Sequence, residues 1–332
     1  MAVVGIFNDT SVTRHHGCNA VMQALRRELE KRGVKVAYYW PVAVDWRDHR
    51  RLLIDCPVDA IIVNGEGSIH HSRERPRARY LAELGAFAAS SLDVPSYLTN
   101  ATVEALEKET LSALGSFDRV YVRESGSQRY LAENGLDSEM VPDLSFLTPV
   151  PEPSTPTREG VLVTDSVDAD AREKLSQWSK SVGAHFHSMQ ARKPWLERKL
   201  SKFTKAVAPR SPSLQTALLQ TSDYLGFVRE LLKARAVVTG RFHTVTLSLL
   251  TGTPVCALPS NTHKISSVLT DVLGDPSRVT SFDQLMRFDQ AAGFADAVQY
   301  SPAERQAIDR YIAGARAAAA EMFDRIAGAS SP

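Results

Sequence analysis

Short apolar runs alternate with amphipathic stretches along almost the whole chain, and this rhythm limits the fold more than any single motif. Val3 to Phe7, Val34 to Tyr39, Ala60 to Val63, Ser96 to Leu98 and Arg119 to Val122 are too short for buried helices and too uniformly apolar for strands with one wet face. They read as buried parallel strands. Segments at about 18–32, 79–90, 102–114 and 125–135 carry helical spacing between them, so the first half is a doubly wound α/β sheet. From Pro149 to Gly160 four prolines fall within a dozen residues, which neither a helix nor a central strand tolerates, and this stretch is expected to link two domains, 1–150 and 151–332.

A second series follows. Val161 to Thr164, Ala184 to Ser188, Ala236 to Thr239, Pro254 to Leu258 and Arg278 to Thr280 read as strands, with helices at about 169–182, 222–234, 243–251, 263–273 and 302–327. Two Rossmann-like units facing a cleft are the simplest arrangement. In the last helix Ser301, Pro302 and Glu304 form a capping box, and Ile308, Ile312, Ala315, Ala319, Phe323 and Ile326 recur on one face. A terminal helix of this kind in two-domain folds crosses back to the first domain.

At 332 residues the chain suits two domains of roughly 150 residues each. Its 39 Lys plus Arg nearly balance 38 Asp plus Glu, so no global basic field argues for nucleic acid as a partner. No apolar run approaches the roughly 20 residues that span a bilayer. The opening Met1-Ala2-Val3-Val4-Gly5-Ile6-Phe7 reads as a first strand, not a signal peptide, and the protein is expected in the cytoplasm or at the inner face of the membrane. Cys18, Cys56 and Cys256 are too scattered for a disulfide framework or a CxxC metal site. Cys18 follows a glycine at a helix start, where a thiolate would be stabilised, but a reactive role is not the expectation.

The densest chemistry lies in Ala236 to His243, then Thr244 to Leu250, then Gly252-Thr253-Pro254-Val255. A buried strand, a glycine turn bearing Arg241 and His243, a helix and a further strand place that turn at a strand's carboxyl end. Ligands of open α/β sheets bind there, and the helix N-terminus favours anions. Arg241 supplies fixed charge and His243 a proton donor or acceptor, although an Arg that caps a neighbour and a structural His fit the same spacing.

Gly240-Arg241-Phe242-His243, the small-residue helix, Gly252-Thr253-Pro254 and Lys264 together resemble the C-terminal signature of the polysaccharide pyruvyl transferase family. Val120 to Ser127, with Arg123 at its centre, resembles the family's central motif, and Met140-Val141-Pro142-Asp143-Leu144 its Pro-Asp turn. Asp143 itself reads as a turn-former. Asn64-Gly65-Glu66-Gly67 resembles a Gly-rich turn, with Glu66 where the family has glycine. At His15-His16-Gly17-Cys18-Asn19 the acid usual in the family is missing.

The resemblance implies a GT-B-like fold and transfer of a pyruvyl group from phosphoenolpyruvate to hydroxyls of a sugar, free or lipid-linked, in a cell-surface polysaccharide or its precursor. Arg123, Arg241, Phe242 and Lys264 would hold phosphoenolpyruvate, His243 would act as general acid or base, and Asp9, His15, His16 and Glu66 would face the acceptor. Such chemistry needs fixed positive charge and one proton carrier, so no cofactor and no metal are expected; the pairs His15-His16 and His70-His71 point apart. A nucleotide-sugar glycosyltransferase and a non-catalytic polysaccharide-assembly protein of the same fold remain open. The basic stretch from Arg192 to Arg210 is either solvated surface or a grip for an anionic acceptor or membrane face.

Overall fold

Ten parallel strands fall into two sheets in the computed structural model, which describes residues 2–153, 157–191 and 223–329. The basic stretch 192–210 and residues 154–156 of the proline-rich segment lie outside the described residues. Strands β1 (Val3–Asp9), β2 (Lys35–Pro41), β3 (Ala60–His70), β4 (Ser96–Glu104), β5 (Arg119–Val122) and β6 (Glu139–Met140) form the first sheet, ordered β2-β1-β3-β4-β5-β6. Strands β7 (Glu159–Ser166), β8 (His185–His187), β9 (Ala234–Gly240) and β10 (Val255–Ala257) form the second, ordered β10-β9-β7-β8. Val4, Ile6, Ile61, Val63, Val163, Val237 and Val238 have no exposed surface, as expected of strands covered by helices on both faces.

The sequence reading differs from the structure at several places. β3 runs on through Gly65-Glu66-Gly67 to His70 instead of turning there. Pairing with β4 continues across this stretch through a register shift, and Glu66 takes a left-handed φ of 38° at the irregularity. β4 likewise extends to Glu104, so the next helix begins only at Lys108. The stretch Arg278 to Thr280 contributes one isolated bridge, Val279 to Ala257, and not a strand.

The terminal helix Pro302–Ala329 joins the lobes. Ser301 and Glu304 cap it reciprocally, the Ser301 N–H donating to Glu304 Oε2 at 2.7 Å and the Glu304 N–H to Ser301 Oγ at 3.2 Å. Its first half packs Ile308 and Ala315 on the second lobe, whereas Ala319, Met322, Phe323 and Ile326 enter the first lobe's core with Val21, Met22 and Leu25. Burial of side chains of this size stabilises by about 1.5–3 kcal/mol each, enough to hold the crossing helix down. Arg32 Nε to Asp324 Oδ1 at 2.7 Å fixes its far end. Among the described residues no helix is long and apolar enough to cross a membrane.

Candidate active site

The carboxyl ends of the two sheets meet, and buried polar side chains gather at the junction. β9 ends in Gly240, which runs so close to Ser166 at the end of β7 that a Cβ would overlap the Ser166 side chain. Glycine is therefore required, and the chain passes directly into the wholly buried helix Phe242–Leu250. Arg241 stands at its N-cap. The Arg241 backbone N–H donates to Thr239 Oγ1 at 2.9 Å, and its guanidinium forks onto Asp165, Nε to Oδ1 at 2.9 Å and Nη2 to Oδ2 at 3.3 Å. Asp165 also accepts from Ser188 Oγ at 2.9 Å and from the Met189 N–H at 3.3 Å.

His243, one position into the helix, presses against the start of the first-lobe helix His16–Lys31. Gly17 makes that possible, since a Cβ there would collide with Cβ and Cγ of His243. The ring lies 5.6 Å from that of His15 between centroids. Its Nε2 is 3.7 Å from Asp143 Oδ2, beyond hydrogen-bonding reach, and has no partner among the described residues. A shift of about 1 Å would complete the bond, so this nitrogen is poised between Asp143 and any ligand proton.

Asp143 is a turn-former and more. Oδ1 accepts the Ser145 N–H at 2.9 Å as an Asx turn, while Oδ2 accepts Arg123 Nη1 at 2.8 Å. Burial alone would push this carboxyl up, but the His243 ring and Arg123 outweigh it and hold it well below the usual range. Arg123 is 1% exposed, donates through Nε to Thr102 Oγ1 at 2.9 Å, and lies 4.0 Å over the Phe242 ring. Phe242 in turn meets His243 edge-on at 5.5 Å. Arg123, Phe242, Asp143 and His243 thus form one packed stack across the two lobes.

The acceptor-side candidates divide. His15 faces His243, and burial, with His243 and Arg241 nearby, holds it well below the ordinary imidazole value. Glu66 takes its place in the same wall: Oε1 accepts from Thr10 Oγ1 and from Asn64 Nδ2 at 2.9 Å, and Oε2 accepts from the Cys18 thiol at 3.1 Å. Asp9 is turned inward. It caps the short turn Thr10–Thr13 through Ser11 and pairs with Arg26 at 3.3 Å, and burial raises it despite Arg26. His16 stacks flat on Phe227 at 5.3 Å in the second lobe, where burial and then His187 lower it to about 4. Lys264 binds Asn261 Oδ1 at 2.7 Å and Thr262 Oγ1 at 3.0 Å; burial, then Arg123, bring it down to about 7.

Asp165, the counterion of Arg241, was not singled out from sequence. Its position at the carboxyl end of a buried strand was the available signal. Backbone strain is present here too: Asn8 near the end of β1, Glu66 within β3, His71 just after it and Asn100 within β4 all have left-handed φ between 38° and 61°. Left-handed non-glycine residues cost of order 1–3 kcal/mol each and tend to mark functional sites.

Comparison with known proteins agrees with this architecture. The sequence profile of a family described as polysaccharide pyruvyl transferase matches residues 15–262. No curated protein matches the chain in sequence. Among solved structures, Arabidopsis thaliana UGT89C1 complexed with UDP-L-rhamnose is similar at a TM-score of 0.53 and 11% identity, covering 99% of both chains. Methanocaldococcus jannaschii UDP-GlcNAc 2-epimerase, in complex with UDP-GlcNAc and UDP, gives 0.53 and 11% over 94% of this chain and 99% of its own. The S. aureus MnaA–UDP co-structure gives 0.50 and 10% over 93% and 91%. The fold is of the GT-B type, two Rossmann-like units across a cleft with the terminal helix crossing back.

Proposed function

Because the chain belongs to the polysaccharide pyruvyl transferase family, matched over residues 15–262, we propose that it transfers the pyruvyl group of phosphoenolpyruvate to two hydroxyls of a sugar as a cyclic ketal. The observation that carries this reading is the Arg241-Phe242-His243 turn, which offers a forked guanidinium and an imidazole nitrogen without a hydrogen-bond partner among the described residues, both from the N-terminus of one buried helix. A polyanionic donor is met there by Arg241, by Lys264 and by the helix dipole. His243 gives a proton to the methylene carbon, so that the neighbouring carbon takes up positive charge and a sugar hydroxyl adds to it. That hydroxyl's proton restores His243, and inorganic phosphate leaves with the proton of a second hydroxyl as that hydroxyl closes the ring.

Arg123 serves the donor site indirectly. Fully buried on Asp143 and under Phe242, it sets the position of His243 instead of reaching out itself. His15 and Glu66 form the acceptor wall, with the sugar free or lipid-linked, and no cofactor takes part. The second reading, a glycosyltransferase using a nucleotide sugar, draws on the UDP-sugars in the solved relatives and on the same helix N-terminus, which would also receive a diphosphate.

Thermal-shift measurements with phosphoenolpyruvate and with UDP-sugars, combined with mass spectrometry of candidate acceptors, decide between them. Stabilisation by phosphoenolpyruvate and an added pyruvyl mass, lost in a folded His243→Ala variant, is expected. Stabilisation by a UDP-sugar alone, or pyruvyl transfer by His243→Ala at the wild-type rate, would overturn the reading.

A further inference from the structure

Cys18 has no part in the reaction described above, yet its thiol stands beside the reacting imidazole. One ligand atom each from His15, Cys18 and His243 lies within 4.8 Å of the other two. The cluster joins one helical turn of the first lobe to the N-terminal turn of a helix in the second. Gly17, where a side chain would collide with His243, allows the approach. From these contacts we propose that His15, Cys18 and His243 form a site for a thiophilic divalent cation of the zinc class.

Two imidazoles and a thiolate suit Zn²⁺ and disfavour Mg²⁺ or Ca²⁺, which take oxygen. With metal–nitrogen bonds of about 2.0–2.1 Å and a metal–sulfur bond of about 2.3 Å, donors around a tetrahedral ion stand about 3.5 Å apart. The observed spacing therefore closes by side-chain rotation of about 1 Å. His243 Nε2 is buried and has no hydrogen-bond partner among the described residues, and His15 is held through Nδ1 by a long 3.4 Å bond from the Cys18 N–H. Binding replaces the S–H bond of Cys18 by a sulfur–metal bond and releases one proton. Glu66 is placed to receive it, because Oε2 already accepts from the thiol at 3.1 Å while Thr10 and Asn64 fix the other oxygen. The fourth position stays open, as in three-ligand zinc sites.

The consequence for catalysis rests on the proposed reaction: an ion on the His243 imidazole prevents it from cycling its proton, so zinc inhibits and a chelator restores transfer. The site itself is tested independently. Metal-free full-length protein titrated with Co²⁺ should bind one equivalent with a thiolate-to-cobalt absorption band, and Zn²⁺ should displace it. Cys18→Ser should melt like the wild type, lose the band and bind Zn²⁺ at least about tenfold more weakly. Cys56→Ser and Cys256→Ser should keep the band. No thiolate band in the wild type, a band that survives Cys18→Ser, or unchanged Zn²⁺ affinity in that variant would overturn the site. If phosphoenolpyruvate proves not to be the donor, the cobalt titration still decides the metal question.

Discussion

Replacing Asp143 by Asn removes the nearer of the two buried carboxylates at Arg123, leaving Glu124 at 3.7 Å from Nε. Arg123 is 1% exposed and Asp143 0% by side chain, and their contact is 2.8 Å. Breaking such a buried pair from one side costs about 3–5 kcal/mol, because the remaining charge keeps its desolvation penalty. Asn keeps one oxygen, for Arg123 or for the Ser145 N–H but not for both, while Glu124 and the Phe242 ring still face the guanidinium, so the loss should fall at the low end, about 3 kcal/mol. At about 2–4 °C per kcal/mol the melting temperature should drop by about 6–12 °C in calorimetry near neutral pH. Asp143→Leu combined with Arg123→Met removes both charges and should recover most of that loss. The pH dependence has a definite sign. The folded carboxyl lies below its ordinary 3.8, so its contribution is complete above that value and disappears as pH falls through the folded value. Wild type and Asp143→Asn should therefore converge below about pH 3.8. A single variant as stable as wild type at neutral pH, or a double variant less stable than the single, would show that the pair is not the electrostatic anchor inferred here.

Gly17→Ala should displace His243 and cost about 1–3 kcal/mol through overpacking, with transfer impaired more than stability; an Ala variant that melts and turns over as wild type refutes the close approach. His263 bridges the lobes, 3.1 Å from Glu104 and 3.3 Å from Glu124; burial opposes its charge, but the two carboxylates win and raise it above 6.5. Its stabilisation is complete below that value and lost as pH rises through the folded one, so the wild-type melting temperature should fall from about pH 6 to about pH 9 more steeply than that of His263→Gln. Parallel slopes would remove His263 as an interlobe clamp. Binding of a polyanionic donor should draw protons in, mainly onto Lys264 near its value of about 7, and calorimetry in buffers of different ionisation enthalpy should show net uptake around neutral pH. Zero uptake or net release would place the donor away from Lys264.

The fold was legible because local patterns fix it. Buried strands such as Ala60 to Val63 and Val237-Val238 announce themselves by apolar continuity, and Ser301 and Glu304 announce the terminal helix by capping. What could not be read were boundaries set by tertiary pairing. Gly65-Glu66-Gly67 has the composition of a turn, yet it stays in β3 because β4 pairs alongside it. At the site, sequence marks residue types that suit chemistry but not their partners. Arg241 was conspicuous and Asp165, 76 positions away, was not. Lys264 and His16 have suitable side chains, but only the packed lobes show one tied to Asn261 and Thr262 and the other stacked on Phe227. Cys18 becomes significant only once Gly17 brings His243 beside it.

Fixed positive charge was the expectation for an anion site, and the geometry arranges that charge differently. Each of the two guanidiniums has a buried carboxylate of its own, Asp165 for Arg241 and Asp143 for Arg123. An unpaired guanidinium in so dry a junction would cost several kcal/mol, so the carboxylates make the ligand-free site tolerable and hold the forks in place. The same pairing leaves little net charge for an incoming polyanion. The balance can shift through groups that burial keeps neutral or only partly charged, namely His15 and Lys264. An anion bound beside either one offsets the energetics that suppressed its charge and favours its protonation. In the proposed reaction donor affinity is therefore coupled to proton entry, while the proton given to the methylene carbon is carried by His243 itself.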